Sequence, residues 1–240
     1  MGNSSEIMVF SPGGTKSAVM AAAKAFERET GHRVNFTFGT GGGVQKQVAA
    51  GAAGDVAVLP SSGVDELDAQ GITVRGSRME IGRIGVGVGI RAGAPRPRIA
   101  TTEEFKNALL AAKSITYADP DRGGTSGAYF ARVVLGRLGI AEQLKGKTVL
   151  TAVGGDAVRR VADGQSEMVV VQASEITAVP GAELVGPLPD EFRNDLPYAA
   201  VVLKASQSPD VARAFVKFLA SPSGQTAFRA AGFTPPEPAK

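Results

Sequence analysis

Apolar side chains along the chain follow two patterns. Some form short continuous runs, such as Met168–Val171, which are typical of buried strands. Others recur at helical spacing, as Val19, Ala22 and Phe26 do before Gly31 ends the pattern. The continuous runs predict strands at 6–10, 34–38, 55–59, 79–91, 115–118, 148–152, 168–171 and 198–203.

Helical patterns separate most of these strands. Ser61 and Ser62 are predicted to cap one helix, Thr101 with Glu104 forms a capping box for another, and Ser221 caps the last. Beyond the helix that ends at Gly31, helices are predicted at 44–50, 61–71, 103–112, 128–138, 157–163, 209–219 and 222–230.

Strands that alternate with helices at such short spacing require crossover connections, and therefore a mostly parallel sheet. Two strand–helix sets are predicted, at 6–80 and 100–175, and the last two helices are expected to return to the first set. The predicted fold class is α/β, with two lobes and a ligand cleft between them. The lobes are predicted at 6–81 plus 200–240 and at 82–199, with hinge strands near 81–91 and 196–203.

Glycine, with 31 of 240 residues, collects where a predicted strand ends and a helix begins. Helix starts carry unpaired backbone N–H groups and a partial positive charge, and glycine lets an anion approach them closely. Ordinary turn chemistry explains any one such glycine cluster equally well. Together, however, the clusters predict an anion site at Pro12–Thr15, Thr40–Gly43, Gly123–Gly127 and Gly154–Asp156.

Four further residues bear on this site, and two of them have two interpretations. Arg83 interrupts an apolar run, so its guanidinium either binds an oxyanion through two hydrogen bonds or points to solvent. Tyr198 either contacts the ligand or packs at a hinge. Gln172 ends a strand at the predicted cleft. Asp156 is interpreted as a helix N-cap. The predicted ligand-binding residues are Ser11, Gly13, Gly14, Thr40, Gly41, Gly42, Arg83, Thr125, Ser126, Gly155, Gln172 and Tyr198.

Composition excludes several other chemistries. The chain has no cysteine and one histidine, His32, so thiolate metal sites, disulfides and Ser–His–Asp catalysis have no support. We predict neither a cofactor nor a metal, and no catalytic residue is identified. The 26 basic and 23 acidic residues give a net charge of +3 without a basic run, so nucleic acid is not an expected partner.

No apolar stretch approaches the roughly 20 residues of a membrane span, so stable membrane insertion is not expected. Residues 1–5 have no apolar signal core. They are interpreted as the remnant left where an export signal was removed, which predicts a periplasmic protein.

Several segments together resemble the type 2 periplasmic solute-binding proteins, and most closely their molybdate-binding branch. The resemblance covers nearly the whole chain. It implies a two-lobe fold, capture of a small anion, hinge closure, a monomer, and delivery to an ABC permease. The segments that carry it are Val9–Gly14, Phe38–Gly43, Ala52–Val56, Ala118–Pro120, Gly139–Ile140 and Gly164–Glu167.

The resemblance also bears on the ligand. The molybdate-binding branch has serine hydroxyls at the first two junctions and a tyrosine after the strand that ends here at Val171. This chain has Gly14, the run Gly41–Gly43 and Gln172 at those places, and Arg83 suits a planar carboxylate. We therefore expect a small organic carboxylate. The alternatives are molybdate, tungstate or another oxyanion, and a cofactor-free isomerase similar to aconitate isomerase, which shares the scaffold.

Overall fold

The computed structural model describes residues 5–236 and has a mixed α/β architecture. The described residues form two compact units. Unit 1 contains the residues up to Ile84 and those from Leu196 onward, and unit 2 is Gly85–Asp195. Apart from Ser5, the segment interpreted as an export remnant lies outside the described residues.

Strands occur close to the places that the apolar runs predict, and one additional strand, β8, follows residue 180. The strands are β1 (Glu6–Pro12), β2 (Arg33–Gly39), β3 (Val56–Pro60), β4 (Met79–Arg91), β5 (Ile115–Ala118), β6 (Thr148–Thr151), β7 (Met168–Gln172), β8 (Ala182–Pro187) and β9 (Asp195–Val202).

The helices include two short ones that the sequence pattern did not predict, α7 and α9. A π-helical turn, Phe130–Val134, joins α5 to α6 in one continuous helix. No helix within residues 5–236 is long and apolar enough to cross a membrane. The helices are α1 (Lys16–Thr30), α2 (Gly41–Ala49), α3 (Ser61–Ala69), α4 (Thr102–Ala111), α5 (Thr125–Tyr129), α6 (Leu135–Leu138), α7 (Ala141–Lys145), α8 (Gly154–Ala162), α9 (Ala173–Thr177), α10 (Pro209–Ala220) and α11 (Pro222–Ala230).

Unit 1 is built on the strand order β2-β1-β3-β9, in which β9 alone runs antiparallel to its neighbour. One face is covered by α1, against which the two C-terminal helices, α10 and α11, pack. The Phe26 ring of α1 meets Phe215 and Phe218 of α10 edge-on, at centroid distances of 5.2 and 5.5 Å. The other face is covered by α2 and α3, so helices lie on both sides of the sheet, as parallel pairing requires.

The buried carboxylate of Asp55 joins this sheet to the segment that leads into α10. Its Oδ2 accepts the N–H of Met8 at 2.7 Å. Its Oδ1 accepts the Ser206 hydroxyl at 2.6 Å and the N–H groups of Gln207 and Ser208 at 3.1 and 3.3 Å. One side chain therefore satisfies donors from separate parts of the chain that are distant in sequence.

Unit 2 has the order β4-β7-β5-β6, with β8 pairing β4 outside this path. The strands β5, β6 and β7 are parallel, whereas β4 runs antiparallel to β7 and β8. The core beneath the sheet includes Phe105 and the Tyr117 and Phe130 rings, which meet edge-to-face at 5.1 Å. Both units therefore show the α/β class that the alternation of strands and helices predicts.

Several local predictions were wrong at helix starts. Gly41–Gly43, Thr125–Gly127 and Gly154–Asp156 were expected to precede their helices, but these residues form the first turns of α2, α5 and α8. Asp156 is not an N-cap, because Val153 holds that position and the Asp156 carboxylate pairs with Arg159. Ser61 is also not a cap: it is the first residue of α3, and its hydroxyl donates to Glu80 at 2.8 Å.

We expect Asp55→Asn to lower the free energy of unfolding by about 2 to 3 kcal/mol, because the amide loses the charge and turns a donor toward the Met8 N–H. Urea unfolding followed by circular dichroism measures this loss. The matched control, Asp210→Asn, changes an exposed carboxylate in the first turn of α10 and should cost less than about 1 kcal/mol. Equal losses in both variants would contradict the role given to Asp55.

Candidate functional site

In unit 1, the starts of two helices lie side by side at one edge of the sheet. The parallel strands β1 and β2 end in register, with Pro12 opposite Gly39. A 3₁₀ turn, Gly13–Thr15, follows β1 and leads into α1, while Thr40 follows β2 and caps α2. The structure thus brings the first two predicted junctions together, with backbone N–H groups of both at the same edge.

A pair of hydroxyls lies beneath the first of these helix starts. Ser11 and Thr15 are completely buried, and their side-chain oxygens are 2.5 Å apart. The Thr15 hydroxyl also lies 3.0 Å from the Pro12 carbonyl oxygen, to which it donates. Because Thr15 has one hydroxyl proton, the Ser11 hydroxyl donates to Thr15 in that arrangement. If Thr15 rotates its proton toward Ser11 instead, the Ser11 proton can be donated to a ligand.

At the second helix start, Thr40 acts as the N-cap. Its Oγ1 accepts the N–H of Gly43 at 3.1 Å. Residue 43 has to be small here, because a Cβ on Gly43 would lie 2.7 Å from the Thr40 Oγ1. The triple glycine is thus explained in part by cap packing, in addition to any approach by a ligand.

Arg83 lies on β4, within unit 1, where its backbone exchanges two hydrogen bonds of 2.9 Å with Thr234. It lines a pocket of about 260 Å³ together with Ser61, Arg78 and Glu80. Glu80 accepts the Ser61 hydroxyl and the Arg78 Nε–H, both at 2.8 Å. The pocket therefore contains a neutralised carboxylate and a second guanidinium beside Arg83.

Tyr198 lies in the interior of unit 1. The residue is 1% exposed, and its ring meets Phe233 edge-on at 6.0 Å. Its partner in the β3–β9 pairing is Pro60, the last residue of β3. These contacts agree with the packing interpretation of Tyr198.

In unit 2, three strands end at one edge and each is followed by a helix. The parallel strands β6 and β7 pair with opposite sides of β5, and Ala118 of β5 is level with Thr151 of β6. The helices α5, α8 and α9 begin just beyond these strand ends. This edge holds the four candidates of unit 2, namely Thr125, Ser126, Gly155 and Gln172.

The start of α5 packs unusually close to the end of β5. A Cβ on Gly124 would lie 2.9 Å from the Ala118 Cβ, and a Cβ on Gly127 would overlap the Ala118 carbonyl oxygen. Glycine at both positions lets the helix backbone touch the strand, which places Thr125 and the buried Ser126 at the edge.

Glu175 is a group at this edge that the sequence patterns did not reveal. As a whole the residue is half-buried, whereas its carboxyl group is enclosed beside Gly154, where a Cβ would lie 2.6 Å from Oε1. Burial raises the pKa of this carboxyl to about 7, and the hydrogen bond from the Gln172 backbone acts in the opposite direction.

Only half of a sequence signal for Glu175 exists, because a glutamate three residues after an N-cap is the second half of a capping box, whose first half is Ser or Thr. Gln172 is the N-cap of α9 and Glu175 its third residue. The helix has only five residues, so the apolar periodicity that revealed the longer helices is not visible there. Within residues 5–236 no cluster of three or more histidine and acidic side chains could hold a metal ion.

A protein-family model described as "Bacterial extracellular solute-binding protein" matches residues 7–234. Aconitate isomerase from Pseudomonas sp is 30% identical over 235 residues, which cover 95% of this chain and 87% of that protein. The molybdate-binding protein ModA from Azotobacter vinelandii is 30% identical over 220 residues, 88% of this chain and 82% of that protein. Among solved structures, the periplasmic molybdate-binding protein of Azotobacter vinelandii superposes with a TM-score of 0.79 at 22% identity, covering 96% of this chain and all of that one.

We expect Gly127→Ala to destabilise the protein by about 1 to 3 kcal/mol, because the new methyl group overlaps the Ala118 carbonyl and separates α5 from β5. Gly136→Ala, in the same continuous helix, is the control. A Cβ there meets nothing within 4 Å, so this variant should gain up to about 1 kcal/mol. Thermal unfolding of both variants checks the pair, and a neutral Gly127→Ala would contradict the close packing described.

Proposed function

Because the chain belongs to the bacterial extracellular solute-binding proteins, we propose that it captures a small organic carboxylate, as a monomer in the periplasm, for an ABC-type importer. The coarser part follows from the family itself: this is an extracytoplasmic solute-binding protein of the ABC-importer type. The ligand class, the periplasm, the monomeric state and the residues that bind the ligand are the proposed parts.

The observation that carries the proposal is the gathering of helix starts at the carboxyl edge of each sheet. In unit 1 the N–H groups after Ser11 and Thr40 share an edge, and in unit 2 those at Thr125 and Gly155 do. Such starts hold anions through neutral backbone donors, without a metal or a cofactor. We propose that the N–H donors at these edges bind the ligand.

Two considerations favour a carboxylate over a tetrahedral oxyanion. An aconitate isomerase is 30% identical over 95% of this chain, whereas the ModA relatives have either lower identity at that coverage or lower coverage at that identity, and aconitate is a tricarboxylate. Arg83 also lines a pocket with Ser61, where a planar guanidinium can bind a carboxylate through two parallel hydrogen bonds. We propose that Arg83 binds one carboxylate of the ligand while the helix starts bind another.

A second candidate function is isomerisation of a tricarboxylate. Moving one proton along an allylic system needs a group that can accept and return it near neutral pH, and no cofactor. The likeness to aconitate isomerase favours this candidate, and so does Glu175, whose pKa of about 7 suits such a group. A molybdate-type oxyanion binder is the third possibility, since the ModA relative is equally identical over a shorter stretch.

A ligand panel separates these functions. We expect citrate or the aconitates to raise the melting temperature, since a ligand at 100 times its Kd adds about 2.7 kcal/mol, and molybdate, tungstate and sulfate to act less. A shift with molybdate and tungstate alone would overturn the carboxylate proposal. Proton NMR of trans-aconitate incubated with the protein then tests for the cis isomer, whose formation would make the chain an enzyme.

We expect Arg83→Gln to weaken carboxylate binding by about tenfold or more, because it removes a charge-assisted contact worth roughly 1.5 to 3 kcal/mol. Isothermal titration calorimetry measures the change. Arg75→Gln, which removes an exposed guanidinium from the same unit, controls for net charge and should bind as the unchanged protein does. Equal affinities in the two variants would reject the role proposed for Arg83.

A further inference from the structure

Glu175 lies between two of the residues proposed to bind the ligand. Its carboxyl group is in contact with Gly154, the residue before Gly155, at the start of α8. It also accepts a hydrogen bond from the backbone N–H of Gln172, at the end of β7. The edge of unit 2 therefore contains a carboxyl group that is negative when ionised and neutral when protonated.

The position of this group matters because α8 offers its first N–H groups to an anion. An ionised Glu175 carboxylate competes for the same positive end of the helix and repels a second anion nearby. The protonated carboxyl does neither, and it adds an O–H donor. The two protonation states of Glu175 must therefore differ in their affinity for an anion at Gly155.

We propose that anion binding at the start of α8 is coupled to the uptake of one proton by Glu175, which makes this residue a determinant of ligand affinity. This inference rests on the proposed function, since it assumes that an anion binds at this edge. It goes further by assigning a role to a side chain that does not itself have to contact the ligand.

The charged groups around Glu175 do not supply an alternative source of this coupling. Asp156 is ion-paired with Arg159 on the same helix, and Glu183 is paired with Arg96. The α9 and β7 segments contain no other ionisable side chain. The charged residues on the elements packed against α9 are Asp156, Arg159 and Arg160 on α8, Glu183 on β8, and Glu80, Arg83 and Arg91 on β4.

The direction of the pH dependence follows from the raised pKa. In the free protein Glu175 is half ionised near pH 7. A bound anion favours the protonated form and raises this pKa further, so affinity is highest below pH 7 and is lost as the pH rises through it. The predicted loss approaches about tenfold for each pH unit once the free carboxyl is fully ionised.

The experiment is calorimetric titration of the whole protein with trans-aconitate. Titrations in two buffers with different ionisation enthalpies give the number of protons taken up. We expect nearly none at pH 5.5, an uptake that approaches half a proton at pH 7, and the largest uptake between the pKa values of the free and the bound protein. A parallel titration with molybdate keeps the inference testable if the ligand is an oxyanion.

Variants identify the residue that takes up the proton when the ligand binds. Glu175→Gln should bind at pH 5.5 as the unchanged protein does, take up no proton, and keep that affinity at pH 8.5. Glu142→Gln, an exposed control in unit 2, and Asp156→Asn should both keep the proton uptake. Uptake that persists in Glu175→Gln, or disappears in Asp156→Asn, would overturn the inference.

Two further results separate the possible failures. Binding at pH 5.5 tests the proposed function, whereas the proton number tests this inference, so either can fail alone. If Glu175→Gln does not fold, carboxyl-carbon NMR of the unchanged protein replaces it. The Glu175 signal should titrate near pH 7 and at higher pH with ligand, and titration near the ordinary value of about 4.3 would overturn the inference.

Discussion

Parallel strand pairing is the constraint on which the remaining structure depends. A chain that pairs β1 with β2, or β5 with β6, in parallel has to return through a helix each time. Every such helix then starts at the same edge of its sheet, with its unpaired N–H groups at the strand ends. The gathering of N–H donors at one edge of each unit, on which the proposed anion binding rests, is thus a consequence of topology, before any particular side chain is considered.

Glycine allows the helix starts to pack closely against neighbouring groups, and it does so in more than one way. At Gly127 it allows the α5 backbone to touch the Ala118 carbonyl, and at Gly154 it leaves room for the Glu175 carboxyl. At Gly43 it makes room for the Thr40 cap. The surplus of glycine at helix starts therefore reflects tight packing of helix ends against strand ends, and an accessible backbone follows from the same packing.

Most of the fold could be predicted from the sequence because the signals are local. The 13-residue strand β4 and the caps at Thr101 and Ser221 depend on residues within a few positions of each other, and the structure has them as predicted. The departures depend on distant contacts. Ser61 donates to Glu80 instead of capping α3, and the Glu175 carboxyl is buried beside Gly154, which lies on a different helix. No short segment of the sequence contains both partners of either contact.

Selectivity has to come from side chains, because helix starts do not distinguish one anion from another. Backbone N–H groups donate to a carboxylate or to a tetrahedral oxyanion alike, and the partial positive charge of a helix start favours any anion. The Arg83 guanidinium is planar and permanently charged, so it binds a planar group such as a carboxylate most strongly. The Glu175 carboxyl has a pKa near 7. When it is ionised it repels the negative charge of a ligand, and when it is protonated it does not. In the proposed function, Arg83 makes affinity depend on the shape of the charged group that it binds, and Glu175 makes affinity depend on the ligand's charge and on the pH.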